Sequence, residues 1–237
     1  MKYVIVSFRL ILLLLVIFCL AGVTDAQWTN NNAVNTPISI EQPHNQIFPR
    51  ITSDGAGGAI ITWWDDRNGN FDIYAQRVDA FGDTLWAADG VPVCIAVGNQ
   101  MEPRICSDGA KGAIIAWIDE RNVGLTGKDI YAQRLDSMGN AIWTHNGEVI
   151  CQANMNQYFP SYNVPHICSD DSGGAIITWM DTRDLFTIGI DIYAQKINSS
   201  GTILWQTNGV VVSAKVKDQE MPAIVSDNTG GAIITWK

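Results

Sequence analysis

The sequence predicts an all-β protein assembled from four-stranded antiparallel sheets that repeat along the chain. Three observations lead there. First, the stretch GGAIITWWDDRNGNFDIYAQRVDAFGDTLW at 57–86 returns in close copy at 112–143 and 173–205 and starts again at 230 as GGAIITWK. The Ser-Asp pairs at Ser53, Ser107, Ser169 and Ser226 are 54, 62 and 57 residues apart, a period that indicates a repeat architecture. Second, the run AIITWW is apolar on both parities. Ala59, Ile61 and Trp63 face one way, Ile60, Thr62 and Trp64 the other, whereas a sheet with one wet face alternates. Third, no segment of the repeat sustains a helical period.

A sheet that is apolar on both sides must be covered on both sides. A ring in which each sheet stands between two copies of itself does this, so the expected architecture is a β-propeller. The three full repeats plus partial N- and C-terminal pieces are expected to be a portion of a larger ring. A string of separate sandwiches is the rival, but about 55 residues give too thin a core to stand alone. The tryptophans fit the register. Trp63, Trp117, Trp179 and Trp236 share one position in the second strand, and Trp28, Trp86, Trp143 and Trp205 share one in the fourth. Only Trp64 breaks the pattern, which makes it a candidate binding residue.

Residues 1–26 carry a basic start, an apolar run at 10–23 and small residues at a cleavage site, and are expected to be a signal peptide. The run is shorter than the roughly 20 residues that span a bilayer, so no membrane insertion is expected after its removal. Residues 27–45 are expected to be a lone outer strand of an incomplete blade. Blade repeats follow at 46–99, 100–161 and 162–218, with a truncated fourth at 219–237. In the first blade the strands are expected at Ile47–Thr52, Ala59–Trp64, Asp72–Val78 and Thr84–Ile95. The turns SDGAGG and DAFGD separate them, with Gly available for positive φ.

The chain holds 15 basic and 24 acidic residues, a net charge of −9. Without a basic stripe, neither nucleic acid nor an anionic membrane surface is expected as a partner. Cys94 and Cys106 flank the first blade junction, and Cys151 and Cys168 the second. Aligned by repeat, the equivalents at the other junctions are Ile40 with Thr52 and Ser213 with Val225. Both cysteines are thus present or absent together, which predicts disulfides Cys94–Cys106 and Cys151–Cys168 in an exported protein. Buried free thiols are the alternative, and no zinc spacing accompanies them.

Asp65, Arg67 and Asp72 recur as Asp119, Arg121 and Asp129 and as Asp181, Arg183 and Asp191. An active site needs one constellation, not a copy per blade, so these residues are expected to be structural, with Asp and Arg on one side of a strand tying down the following loop. No catalytic residue, metal or cofactor is expected from them. Function is expected where the repeats differ, on the face holding the second-to-third-strand links and the blade-to-blade links. Tyr158, Phe159, Tyr162 and Phe186 provide aromatic surface there. Arg50 and Arg104, with His166 at the same repeat position, are candidates to line the channel mouth and hold a carboxylate. Glu41, Glu102, Glu120 and Glu220 are non-recurring acids.

The repeat SDGxGGAIITWxDxRxxxxDIYAQRxDxxGxxLW resembles a largely uncharacterised family of β-propeller-type repeats in large secreted bacterial proteins. That resemblance implies a secreted, extracellular, cell-surface or periplasmic location and is almost silent on activity. VDAFGDTLW resembles the Asp-box of sialidase-like propellers but is one residue too long on both sides of Gly82, so no sialidase residues carry over. The expected function is a non-catalytic propeller that binds an extracellular glycan or protein surface. The alternatives are a structural spacer in a longer secreted protein and a glycoside hydrolase or lyase.

Overall fold

A computed structural model of the chain describes residues 36–40, 43–153, 165–187 and 189–237. The expected signal peptide lies outside the described residues. The strands are β1 (Gln46–Ser53), β2 (Ala59–Asp65), β3 (Asp72–Val78), β4 (Val91–Cys94), β5 (Gln100–Ser107), β6 (Ala113–Asp119), β7 (Asp129–Leu135), β8 (Glu148–Cys151), β9 (His166–Ser169), β10 (Ala175–Asp181), β11 (Asp191–Ile197), β12 (Val210–Ser213), β13 (Ala223–Ser226) and β14 (Ala232–Thr235). The first twelve form three four-stranded antiparallel sheets in chain order, and β13 pairs with β14. The first strands β1, β5, β9 and β13 approach one another in succession. The sheets therefore fan out from a shared axis as blades of a β-propeller, with the fourth strands at the rim.

Side-chain parity decides which neighbour each blade touches. Ile60, Trp64, Ile73 and Ala75 of the first blade pack with Ala113, Ile115, Trp117, Tyr131 and Leu135 of the second. The opposite face of the second blade, Ile114, Ala116, Ile118, Ile130 and Ala132, packs with Ala175, Ile177, Trp179, Tyr193 and Ile197 of the third. Each core thus lies between sheets. Burying one such large side chain contributes about 1.5–3 kcal/mol, so a single blade without neighbours forfeits most of its stabilisation.

The Ser-Asp turns are closed by their own carboxylates. Asp54 Oδ1 accepts from the amides of Ala56 and Gly58 at 2.8 Å each, and Oδ2 accepts from Arg77 Nη2 at 2.8 Å. Asp108 repeats this with Ala110, Gly112 and Arg134. The expected fourth strand is shorter than predicted. Only a bridge to Val78 forms at Thr84, and Asp89 (φ 61) and Gly90 (φ 86) then turn the chain before β4 starts. Gly90 is required, because a Cβ there would lie 2.5 Å from the Trp63 ring.

The lone outer strand expected at 27–45 is corrected where it is described: residues 36–40 form no strand. They nevertheless occupy the position of a preceding rim strand. Ile40 N donates to Asp89 Oδ1 at 2.7 Å, as Ile95 N does to Asn146 Oδ1 at 3.1 Å and Gln152 N to Asn208 Oδ1 at 2.9 Å. Ser39, not Ile40, is therefore the equivalent of Cys94 and Cys151.

Candidate functional site

Each blade contains one repeated polar cluster. In the second, Trp117 Nε1 donates to Asp119 Oδ2 at 2.8 Å, and Arg121 grips both oxygens of Asp119 with Nε at 2.8 Å and Nη2 at 2.6 Å. The guanidinium lies 3.9 Å from the centroid of the Tyr131 ring. Asp65 with Arg67 and Asp181 with Arg183 repeat the geometry. Asp119 is fully buried, so this fork replaces its lost hydration. The later aspartate does not share in it. Asp72 instead accepts from Asn68 at 2.7 Å and Asn70 at 2.9 Å.

A different set of residues meets at the axis. The first strands are bulged: register shifts occur between Ile47 and Arg50 in β1 and between Met101 and Arg104 in β5. The bulge residue takes a left-handed backbone, with φ 54 at Phe48, 53 at Glu102 and 57 at Met221, and a proline follows each. Proline in a sheet belongs at bulges because it cannot donate to the ladder, and a non-glycine residue in this conformation is strained. The same backbone position thus presents Phe, Glu or Met. Next to it stand Arg50, Arg104 and His166, which pair with Thr62, Ala116 and Thr178 of the second strands.

These axial groups act on one another. Burial raises the Glu102 carboxyl above the ordinary glutamate range, against the opposing pull of Arg104, Arg50 and Lys128. Burial and then the Arg50 charge push Arg104 down to about 10. Burial and Arg104 lower His166. Lys128 also pairs with Glu120 at 3.2 Å, and Asn99 Nδ2 donates to the other oxygen of Glu120 at 3.0 Å. Glu102 has no acidic counterpart at Phe48 or Met221, whereas Glu120 recurs as Asp66, which accepts from Asn45 as Glu120 does from Asn99, so its place among the non-recurring acids is corrected. Lys128 acts on both Glu102 and Glu120. Glu220 lies on the last unit, and Glu41 is outside the described residues.

Other candidates fall elsewhere. Trp64 is corrected: it is 8% exposed and packed against Phe48 and Phe71, with ring centroids 4.6 and 5.4 Å away. Its parity turns it into the core between the first two blades. Phe186 is 83% exposed on the link after β10. Tyr158, Phe159 and Tyr162 lie outside the described residues.

The disulfide pairing is also corrected. Cys94, Cys106, Cys151 and Cys168 are free and buried. Cys94 is on a rim strand and Cys106 on an axial strand. Three strand spacings of about 4.8 Å separate those radii, about twice the Cα reach of a disulfide. The Cys94 thiol instead forms a blade-to-blade joint, donating to Asn146 O at 3.6 Å and accepting from Arg121 Nη2 at 3.2 Å. Cys151 does the same with Asn208 and Arg183. Burial pushes both thiols up to about 12.

No family model and no curated protein matches the chain. Among solved structures it is similar to an endo-arabinase from Bacteroides thetaiotaomicron VPI-5482, at 15% identity and TM-score 0.45, covering 79% of this chain and 68% of that one. A thermostable family-43 glycoside hydrolase matches at 9% and 0.46, over 81% of this chain and 65% of that one. The α-L-arabinanase of Penicillium chrysogenum matches at 15% and 0.41, over 87% and 61%. The chain thus spans about two thirds or less of these proteins. All three are enzymes by name. The expectation of a non-catalytic binding or adhesion propeller is corrected on that finding.

Proposed function

We propose that the chain contributes to a glycan-cleaving propeller, a glycoside hydrolase with its site at the axial mouth beside the β6–β7 link. One observation carries this reading. The bulge that presents Phe48 in the first blade and Met221 in the fourth unit presents Glu102 in the second blade, in surroundings that favour its protonated form. A carboxylic acid whose proton is held more tightly than usual suits the role of protonating the leaving oxygen in glycoside cleavage. Glu102 gives its proton to the glycosidic oxygen as the bond to the anomeric carbon breaks. Glu120, held by Lys128 and Asn99, takes a proton from the water that attacks that carbon. Phe48, 49% exposed at the matching position of the first blade, offers a ring face on which a sugar can stack.

The test is release of reducing ends from a panel of neutral and acidic polysaccharides by the full chain and by Glu102→Gln. Loss of about 100-fold or more in the variant, with an unchanged unfolding midpoint, is expected. No release from any polymer, or equal rates for the two proteins, would overturn the reading.

A further inference from the structure

The described residues include seven arginines. Five of them, Arg67, Arg77, Arg121, Arg134 and Arg183, hold an aspartate at 2.5–2.9 Å. Arg50 and Arg104 hold none. Their only side-chain bonds are to the preceding proline carbonyls, Arg50 Nη1 to Pro49 O at 2.9 Å and Arg104 Nη1 to Pro103 O at 2.8 Å. Both are half-buried and stand at the same position of adjacent axial strands. Two guanidiniums held this way repel each other, and each keeps donors unused. Every other arginine among the described residues is neutralised by an aspartate of the protein itself. Both charges act on the Glu102 carboxylate, and among the described residues neither arginine forms an ion pair.

We propose that Arg50 and Arg104 form a carboxylate-binding subsite, and that the glycan cleaved at the axis carries acidic sugars of the uronic type. This rests on the hydrolase reading above. A planar guanidinium fork matches a carboxylate in bidentate geometry, and two forks from adjacent blades fix one acidic sugar relative to Glu102. His166, the third residue at this position, borders the subsite from the next blade. The bound anion removes the repulsion between the arginines, so its charge is recognised as well as its shape.

Calorimetric titration of the Glu102→Gln full chain tests this with three probes: an oligogalacturonate, a sulfated oligosaccharide of similar length and a neutral arabino-oligosaccharide. The oligogalacturonate is expected to bind at least tenfold tighter than the neutral probe. Arg50→Met and Arg104→Met should each weaken it by roughly 10- to 100-fold, and Arg104→Lys by less. Unfolding midpoints of the variants guard against misfolding, and salt should weaken the acidic probe alone. Equal affinity for acidic and neutral probes, or preference for the sulfated one, would overturn the inference. Cleavage of neutral but not acidic polymers overturns it while leaving the hydrolase reading intact. Tight oligogalacturonate binding without any cleavage leaves the subsite standing and removes the hydrolase.

Discussion

Arg121 and Arg104 belong to the same blade and differ in almost everything that matters. Arg121 sits against a fully buried aspartate, stacks on a tyrosine and joins its blade to Cys94 of the one before. Its position repeats in every complete blade. Arg104 has no carboxylate, bonds only to its neighbouring proline and gives way to His166 and Ala223 in the following units. The contrast teaches how to divide a repeat protein. Where a charged group recurs with its partner, the repeat is neutralising its own core. Where the same backbone position changes its side chain, the scaffold is free to present chemistry.

The largest effect should come from breaking the recurring pair. Arg121→Met leaves Asp119 buried without its counter-ion and should cost about 3–5 kcal/mol, visible as a large drop in the denaturant midpoint. Arg104→Met should move the same midpoint by less than about 1 kcal/mol, because it removes no ion pair. If both substitutions destabilised equally, the division between paired core and unpaired axis would fail.

A second comparison sharpens the first. The third-strand aspartates have the same backbone position but lose partners along the chain. Asp72 accepts from Asn68 and Asn70, Asp129 accepts through one oxygen only, and both oxygens of the fully buried Asp191 lack a partner. The position that is Asn68 and Asn122 becomes Asp184. Burial, and then the Asp184 and Asp181 charges, raise Asp191 to about 6. A raised folded-state value means that stability is fully present below the unfolded value near 3.8 and is lost as pH rises through about 6. Asp191→Asn should therefore stabilise the protein by about 1–3 kcal/mol at neutral pH and by little near pH 4. Thermal melts at the two values check this, and a pH-independent effect would contradict it.

The smallest effect belongs to the rim joints. Cys94→Ser keeps a donor and an acceptor at a position where the equivalent Ser39 and Ser213 already stand, so a change below about 1 kcal/mol is expected. Alkylation after unfolding without reductant should label Cys94, Cys106, Cys151 and Cys168 alike. A protected pair would restore the disulfide.

Much of the blade was legible. Two apolar parities in AIITWW required a neighbour on each side, and the structure puts Trp64 and Trp117 in one core and Ile114 and Trp179 in the next. The cysteine pairing failed because joint presence along the chain does not require contact: with Ser39 in register with Cys94 both cysteines are still absent together at that junction, yet Cys94 stands on a rim strand and Cys106 on an axial one. The link after Ser39 is one residue longer than the link after Cys94, and only the hydrogen bond from Ile40 to Asp89 reveals the register. The axial bulges did leave a signal. Pro49 and Pro103 lie inside β1 and β5, and Pro165 and Pro222 directly precede β9 and β13; a proline within a ladder marks a bulge. What that pattern could not show is that Glu102, Lys128 and Glu120 come from three separate segments and meet only after the blade folds.

Carbon-detected NMR titration of the Glu102 side-chain carboxyl tests the central claim most directly, namely that the axis holds a protonatable acid among unneutralised cations. The account predicts a midpoint above the ordinary glutamate range, rising further in Arg104→Met as a nearby positive charge is removed. A midpoint at or below that of an exposed glutamate, unchanged by the substitution, would contradict it.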